Sequence, residues 1–327
     1  MRRVIGLTLA GLGTFLIVFA VLVRTYVGGQ LIKFPLNEHL TTTLQGTGVT
    51  YFSPSMVREV SGATIRVTST VNGDGPAGTS STAVWNEFTY LYDVTNSQQY
   101  EFATRRIAFD RRTAELVSCC GASVGGNTSI RQSGLVGFLW PFGTQQTTYE
   151  VFDVNLHRPM PARYAGTSTI DGISVDRFVE RVQHARAGSQ QLPGSLVGMP
   201  SQSLVTLPEY YTATITYWVD PLTGAQLDLS QDQKLTIEDS AGAQRLLLFN
   251  GDLRVTPQSV RTIVGLDRTG RTEYAWFETI IPLVSGLVGL ALLVVGIVLA
   301  RSRREDDQPD HSGAAAPEPA LDPAPAP

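Results

Sequence analysis

Two uncharged stretches bracket the chain. Val4–Val23 (VIGLTLAGLGTFLIVFAVLV) follows Arg2 and Arg3, and Thr279–Ala300 (TIIPLVSGLVGLALLVVGIVLA) precedes Arg301, Arg303 and Arg304. At about 1.5 Å rise per residue, each is long enough as a helix to cross a hydrocarbon core of roughly 30 Å. Tyr274, Trp276 and Phe277 stand just before the second stretch, where amphipathic rings favour the headgroup level. A cleaved leader has an apolar core of about 7–15 residues and a small-x-small site, whereas the first stretch runs into Leu22-Val23-Arg24. The expectation is an uncleaved anchor.

Arginines flank the outer ends of both stretches, so the positive-inside rule places residues 1–3 and 301–327 in the cytoplasm. Residues 24–278 then lie on the far side of the inner membrane, between helices at 4–23 and 279–300. Gly6 and Ala10 share a face of the first helix, and Ser285 and Gly289 a face of the second, a spacing that permits close helix contact. The tail beyond Arg304 is acidic, then rich in Pro and Ala, and is expected to be disordered.

Between the two stretches the period becomes two. Ile65, Val67, Ser69 and Val71 alternate with Arg66, Thr68 and Thr70, and Asn72-Gly73-Asp74-Gly75 follows as a turn. Strands are predicted again over Ser81–Asp93, Tyr100–Phe109, Thr147–Val154, Arg163–Thr169, Ile173–Val182, Tyr211–Val219 and Ala225–Ile237. Asp171-Gly172 and Asp220–Gly224 supply hairpin turns. Gln30–Tyr51 shows no clear period. Ser53-Pro54 and Thr256-Pro257 each read as a cap and first helical position, predicting short helices to Gly62 and Gly265.

The fold class implied is mainly β, a curved antiparallel sheet or two β lobes dividing near residues 140–146, with a few short helices and two flanking membrane helices. Local echoes, IAFDRRTAEL at Ile107–Leu116 and YWVDPLTGAQL at Tyr217–Leu227, fit either a duplicated unit or recurring turn chemistry.

Two apolar loops interrupt the strands. Gly134–Gly143 carries Leu135, Phe138, Leu139, Trp140 and Phe142, and Leu192–Pro208 carries Leu196, Val197, Met199 and Leu204. Their apolar content asks for burial, either as caps on the β core or as walls and lid of a groove for an apolar ligand. On the second reading the groove residues are Leu135, Phe138, Trp140, Phe142, Leu196, Met199 and Leu204.

Composition narrows the chemistry. The net charge of −4 carries no basic field for nucleic acid. Cys119 and Cys120 are adjacent, closer across a trans peptide than a disulfide usually requires, and read as two small side chains beside a turn at Gly121, the alternative being a strained redox pair or a link to another chain. His39, His157, His184 and His311 show no metal-ligand spacing, and neither a Gly-x-Ser-x-Gly elbow nor a phosphate loop occurs. Gly73–Gly78 matches Gly-x-Gly-x-x-Gly only formally, because it joins two strands. Carboxylates such as Glu87, Asp93, Asp110, Asp153, Asp171, Asp176 and Asp220 are explained as turn formers. No enzyme, metal or cofactor is expected; a hydrolase would require two carboxylates or a Ser/His pair to converge in a pocket.

The stretch WPFGTQQTTYEVFDVNLHRPMPARYAGTSTIDGISVDRFV, Trp140–Val179, resembles the actinobacterial PorA-like family, as does EYYTATITYWVDPLTGAQLDL, Glu209–Leu229. With the two flanking stretches the resemblance covers roughly Arg2–Arg304. It implies an envelope protein of mycolate-making bacteria, linked to trafficking of trehalose mycolate glycolipids and to a lipid exporter of the inner membrane. Charges such as Arg66, Glu101 and Arg177 in the strands sit badly with a lipid-facing porin wall. The function read from the chain is a membrane-anchored, periplasm-facing lipid-binding or lipid-transport module; the alternative is a ligand-free scaffold for envelope machinery.

Overall fold

The computed structural model describes residues 2–27 and 32–301, so the expected tail lies, from residue 302, outside the described residues. The described residues form two compact units, one of residues 2–27 and 276–301, the other of residues 32–275. Their elements include three α-helices, α1 (Arg2–Leu22), α2 (Pro257–Ala275) and α3 (Ile281–Arg301).

In the first unit α1 and α3 pack antiparallel. Both apolar segments are long enough to cross a membrane. Their buried residues repeat every seven positions, Gly6, Gly13 and Ala20 against Pro282, Gly289 and Gly296. A seven-residue repeat keeps one seam facing its partner when helices wrap left-handedly. Glycine is required there: a Cβ on Gly13 would fall 2.6 Å from the Gly289 carbonyl oxygen, and one on Gly296 2.5 Å from the Ala10 nitrogen. Arg24 Nη1 donates to the Glu278 carbonyl (3.3 Å) where both helices pass into short π-helical segments, Val23–Val27 and Trp276–Ile280.

The second unit is built on one sheet of eleven strands. They are β1 (His39–Ser53), β2 (Arg58–Gly73), β3 (Thr82–Asp93), β4 (Gln98–Asp110), β5 (Ser123–Val124), β6 (Tyr149–Asp153), β7 (Arg158–Ile170), β8 (Ile173–Pro193), β9 (Leu204–Val219), β10 (Gln226–Glu238) and β11 (Gln244–Val255). The order is β5-β4-β3-β2-β1-β11-β10-β9-β8-β7-β6, antiparallel throughout. Two meanders, β1–β5 and β6–β11, thus meet along β1 and β11. The chain is mainly β, as its period-two pattern implies.

The sheet curls strongly. Tyr100 of β4 donates its hydroxyl to the Leu248 carbonyl of β11 at 3.2 Å. Four strand spacings separate these strands, roughly 19 Å along a flat sheet. At the other end one segment joins both edges. Leu116 N donates to Gly134 O and Val136 N to Ala114 O beside β4, while Leu135 N donates to Glu150 O and Phe152 N to Leu135 O on β6. Arg105 of β4 lies 4.9 Å from the Phe152 ring of β6, although these strands stand near opposite ends of the order.

Five hairpins share one turn. A side-chain oxygen of Ser53, Asp93, Asp110, Asp153 or Asp220 accepts a backbone N–H two or three residues on, at 2.8–3.3 Å. The residue four positions on, Val57, Ser97, Ala114, His157 or Gly224, has left-handed φ of 53–71°. This chemistry accounts for the Asp-centred echoes. It also corrects the helix expected from Ser53 to Gly62: Ser53 closes a hairpin, Arg58 starts β2, and Val60 is buried on a strand.

Further corrections concern neighbouring segments. Residues 39–53, without apparent period, form the central strand β1, its alternation broken by register shifts between Gly46, Val49 and Tyr51. β11 was not expected; its Gly251 lies under Val49, where a Cβ would approach Cγ2 to 2.7 Å. Most of the loop expected over Leu192–Pro208 is the end of the β8–β9 hairpin, with one short 3-10 turn at Gly194–Val197. Thr256 does cap a helix, its hydroxyl accepting from Ser259 N at 3.4 Å, but α2 continues to Ala275. Cys119 and Cys120 form a vicinal disulfide, the strained pair that the sequence offers as the alternative to two small side chains; positive φ at Cys120 (59°) and Gly121 (76°) turns the chain there.

Candidate functional site

The inward face of the curled sheet is a concave surface built from many strands. Pairing fixes which residues share it: Leu229, Gln231, Gln233 and Leu235 of β10 stand opposite Tyr217, Ile215, Ala213 and Tyr211 of β9, which are buried. Leu253 and Phe249 of β11 continue the face. Yet Leu229, Gln231, Gln233 and Leu235 stay half-buried, as do Val67 and Leu91 on the inward side of β2 and β3. Their outward neighbours Asp232 and Lys234 are exposed. The middle of the inward face is therefore a trough of apolar and amide side chains, edged by Glu101 of β4, which stands opposite Leu91 and whose carboxyl is pushed up by burial and by Glu209; the trough is protected but not filled.

The loop residues named from the sequence lie at its ends. Trp140 is fully buried, its ring 4.5 Å from that of Phe178 and 5.5 Å from that of Tyr217. Leu135 is buried in the same cluster. Phe138 stacks at 6.1 Å on Trp85, and Phe142 at 4.5 Å on Phe34, in the neighbouring cluster. These four form a plug under the strap that joins the sheet edges. Leu196 and Met199 pack with Val197, Val205 and Leu207 in a separate cluster at the β8–β9 tip, and Leu204 is 56% exposed. The two groups do not meet. In the helical unit Gly6, Ala10 and Gly289 lie on the seam, whereas Ser285 donates its hydroxyl to Ile281 O at 2.6 Å within its own helix. Spacing by four missed Gly13 and Gly296; the repeat of seven small residues would have found them.

Carboxyl groups do converge, unseen in the sequence. Glu180, fully buried on β8, accepts from Tyr217 Oη at 2.9 Å and faces Asp153 of the β6–β7 turn. Burial and the neighbouring Asp153 push its carboxyl up to about 8. Glu180 Oε1 and Asp153 Oδ2 both lack a donor as ionised acceptors, and one proton held on Glu180 and shared with Asp153 satisfies both. A second pair joins the β9–β10 turn to α2. Asp220 accepts from Arg271 Nη1 at 2.6 Å, and Asp267 accepts from Thr223 Oγ1 at 2.5 Å while burial and Asp220 push it up to about 7. His184 pairs with Glu238 at 2.9 Å and stacks on Tyr210, with no Ser or Cys hydroxyl or thiol bonded to it among the described residues. No group of three or more His, Cys, Asp or Glu is placed to hold a metal among the described residues.

Comparison with curated proteins found no match. Among solved structures, lipoprotein LppX of Mycobacterium tuberculosis is similar at 12% identity and a TM-score of 0.22, over 73% of this chain and 92% of that one. That likeness is too distant to carry a site or a function. The family model described as Porin PorA matches residues 5–298, through both apolar helices and the whole sheet, and the chain therefore belongs to the PorA family.

Proposed function

We propose that the protein is a membrane-anchored, non-enzymatic envelope protein that holds an acyl lipid in the trough of its curled sheet. The carrying observation is that Leu229, Leu235, Val67 and Leu91 face inward at mid-sheet and remain half-buried. Each methylene moved from water onto such a surface contributes about 0.8 kcal/mol. Gln231 offers a donor and an acceptor to a polar head, and Gln233, whose Oε1 accepts from Tyr211 Oη at 3.2 Å, offers its amide donors. The ligand that the family resemblance suggests is a glycolipid of the trehalose mycolate type. The paired helices α1 and α3 would keep residues 30–275 outside the inner membrane, near the bilayer that supplies lipid.

Two further observations support this reading. The buried carboxyl pairs are bonded to each other and to Tyr217, Thr223 and Arg271, which suits structure better than catalysis. The outward face carries Arg66, Asp232 and Lys234, a surface for water and not for the hydrocarbon around a porin wall. The test is native mass spectrometry of the full chain from mild detergent, beside Leu229→Glu and Leu235→Glu. Lipid should accompany the wild type and be lost from both variants. A wild type that carries no lipid and takes up no added glycolipid would favour a ligand-free scaffold instead.

A further inference from the structure

A second concavity lies on the outward side of the sheet, between β1, β2 and the start of α2. It holds about 710 Å³ and is lined by Thr41, Thr43, Arg66 and Thr68 of the strands and by Arg261 and Thr262 of the helix, among others. Apart from Pro257, every lining side chain is polar, and none is acidic, although the chain carries 29 Asp and Glu. Among the described residues neither Arg66 nor Arg261 is held by a carboxylate. The walls are fixed. Thr43 pairs with Thr68 and Gln45 with Arg66 in the sheet, while Thr256 N donates to Thr43 O (2.8 Å) and Thr43 N to Ser259 Oγ (3.0 Å), tying the helix start to β1.

The amides of the helix start contribute little, because Ser259 N and Val260 N are already taken by Thr256. What remains is a pair of guanidinium groups among hydroxyls, without a competing carboxylate. Guanidinium groups bind the oxygens of a phosphate through paired, charge-assisted hydrogen bonds, and hydroxyls supply the remaining donors.

We propose that this cleft binds a phosphate group, carried either by a lipid headgroup or by a water-soluble phosphate. The site is independent of the trough: it lies on the opposite face of the sheet and needs no acyl chain. The full chain, in a phosphate-free maltoside detergent, is titrated calorimetrically with inorganic phosphate and with soluble dihexanoyl phosphatidylglycerol. At least one probe should bind saturably, and Arg66→Gln and Arg261→Gln should each weaken it roughly tenfold, as expected for one charge-assisted contact. Arg177→Gln, on β8, should bind as the wild type. Phosphate binding as tightly as the lipid would identify a soluble phosphate ligand, and binding of the lipid alone a headgroup. Failure of both probes to saturate, or unchanged binding in the Arg66→Gln/Arg261→Gln double variant with its near-ultraviolet dichroism intact, overturns the proposal. Neither result bears on lipid retention by the Leu229 and Leu235 variants.

Discussion

Glu180→Gln tests the shared proton directly. Glu180 is buried without exposure, faces Asp153, and accepts from Tyr217, while Glu150 adds a more distant negative charge. Its carboxyl rises from an ordinary 4.5 to about 8 in the fold. Below pH 4.5 both folded and unfolded chains hold the proton, so nothing is lost. As pH rises towards 8 the unfolded chain releases it and the fold does not, so stability falls by about 1.4 kcal/mol per pH unit. Between pH 4.5 and pH 7 the wild type should lose about 3 kcal/mol through this group alone, and above pH 8 the loss should level off. Glutamine keeps an acceptor for Tyr217 and presents a permanent donor to Asp153, so the variant should lack this slope. Urea unfolding of both chains in detergent, followed by tryptophan fluorescence, gives the difference at each pH, and Trp140 in the adjacent cluster reports locally. Titrating groups that do not touch Glu180 are common to the two chains and cancel, so the difference reports the Glu180–Asp153 pair. The variant should match the wild type at pH 4 and exceed it by about 3 kcal/mol at pH 7. Parallel profiles, or a variant weaker at pH 7, would refute the shared proton.

Asp267→Asn should act in the same direction through the second pair, flattening the loss of stability that the wild type shows as pH rises towards 7 in the same unfolding series. Trp140→Ala should cost about 3–5 kcal/mol in urea unfolding and Leu204→Ala within about 0.5, because Trp140 is fully buried and Leu204 is mostly in solvent. Gly13→Leu should separate α1 from α3, lengthening the spin-label distance between Leu12 and Val295; an unchanged distance would discount the seam. Cys119 and Cys120 should resist alkylation until a reductant is added and then take two labels, as counted by intact mass.

The hairpin ladder is legible in the sequence where alternation and turn residues agree, as in Ile65–Gly75 and Asp171-Gly172. It fails where geometry interrupts the period. β1 hides because two register shifts break its alternation, and Gly251 marks a close approach by Val49 that only the fold reveals. The strap at Gly134–Gly143 shows the limit of composition. Its apolar residues require burial, but whether they wall a groove or plug the core depends on partners distant in sequence: Phe178 and Tyr217 for Trp140, Trp85 for Phe138.

The trough itself was missed for a different reason. Hydropathy does not separate the two faces of β10, since Leu229-Ser230-Gln231-Asp232-Gln233-Lys234-Leu235 is polar through its middle. Charge does separate them, because the inward positions hold Leu, Gln, Gln and Leu and the outward ones Ser, Asp and Lys. A packed core favours apolar residues at all four inward positions, since burying an unpaired amide costs about 1–3 kcal/mol, and of the two glutamines Gln233 has its oxygen held by Tyr211 Oη at 3.2 Å. A water-facing surface would not exclude charge from them. An inward row on β10 that is uncharged without being wholly apolar matches neither demand, and it is the feature on which the proposed lipid wall rests. That pattern lies in charge and not in hydropathy, and it is the mark by which the sequence distinguishes the two faces of β10.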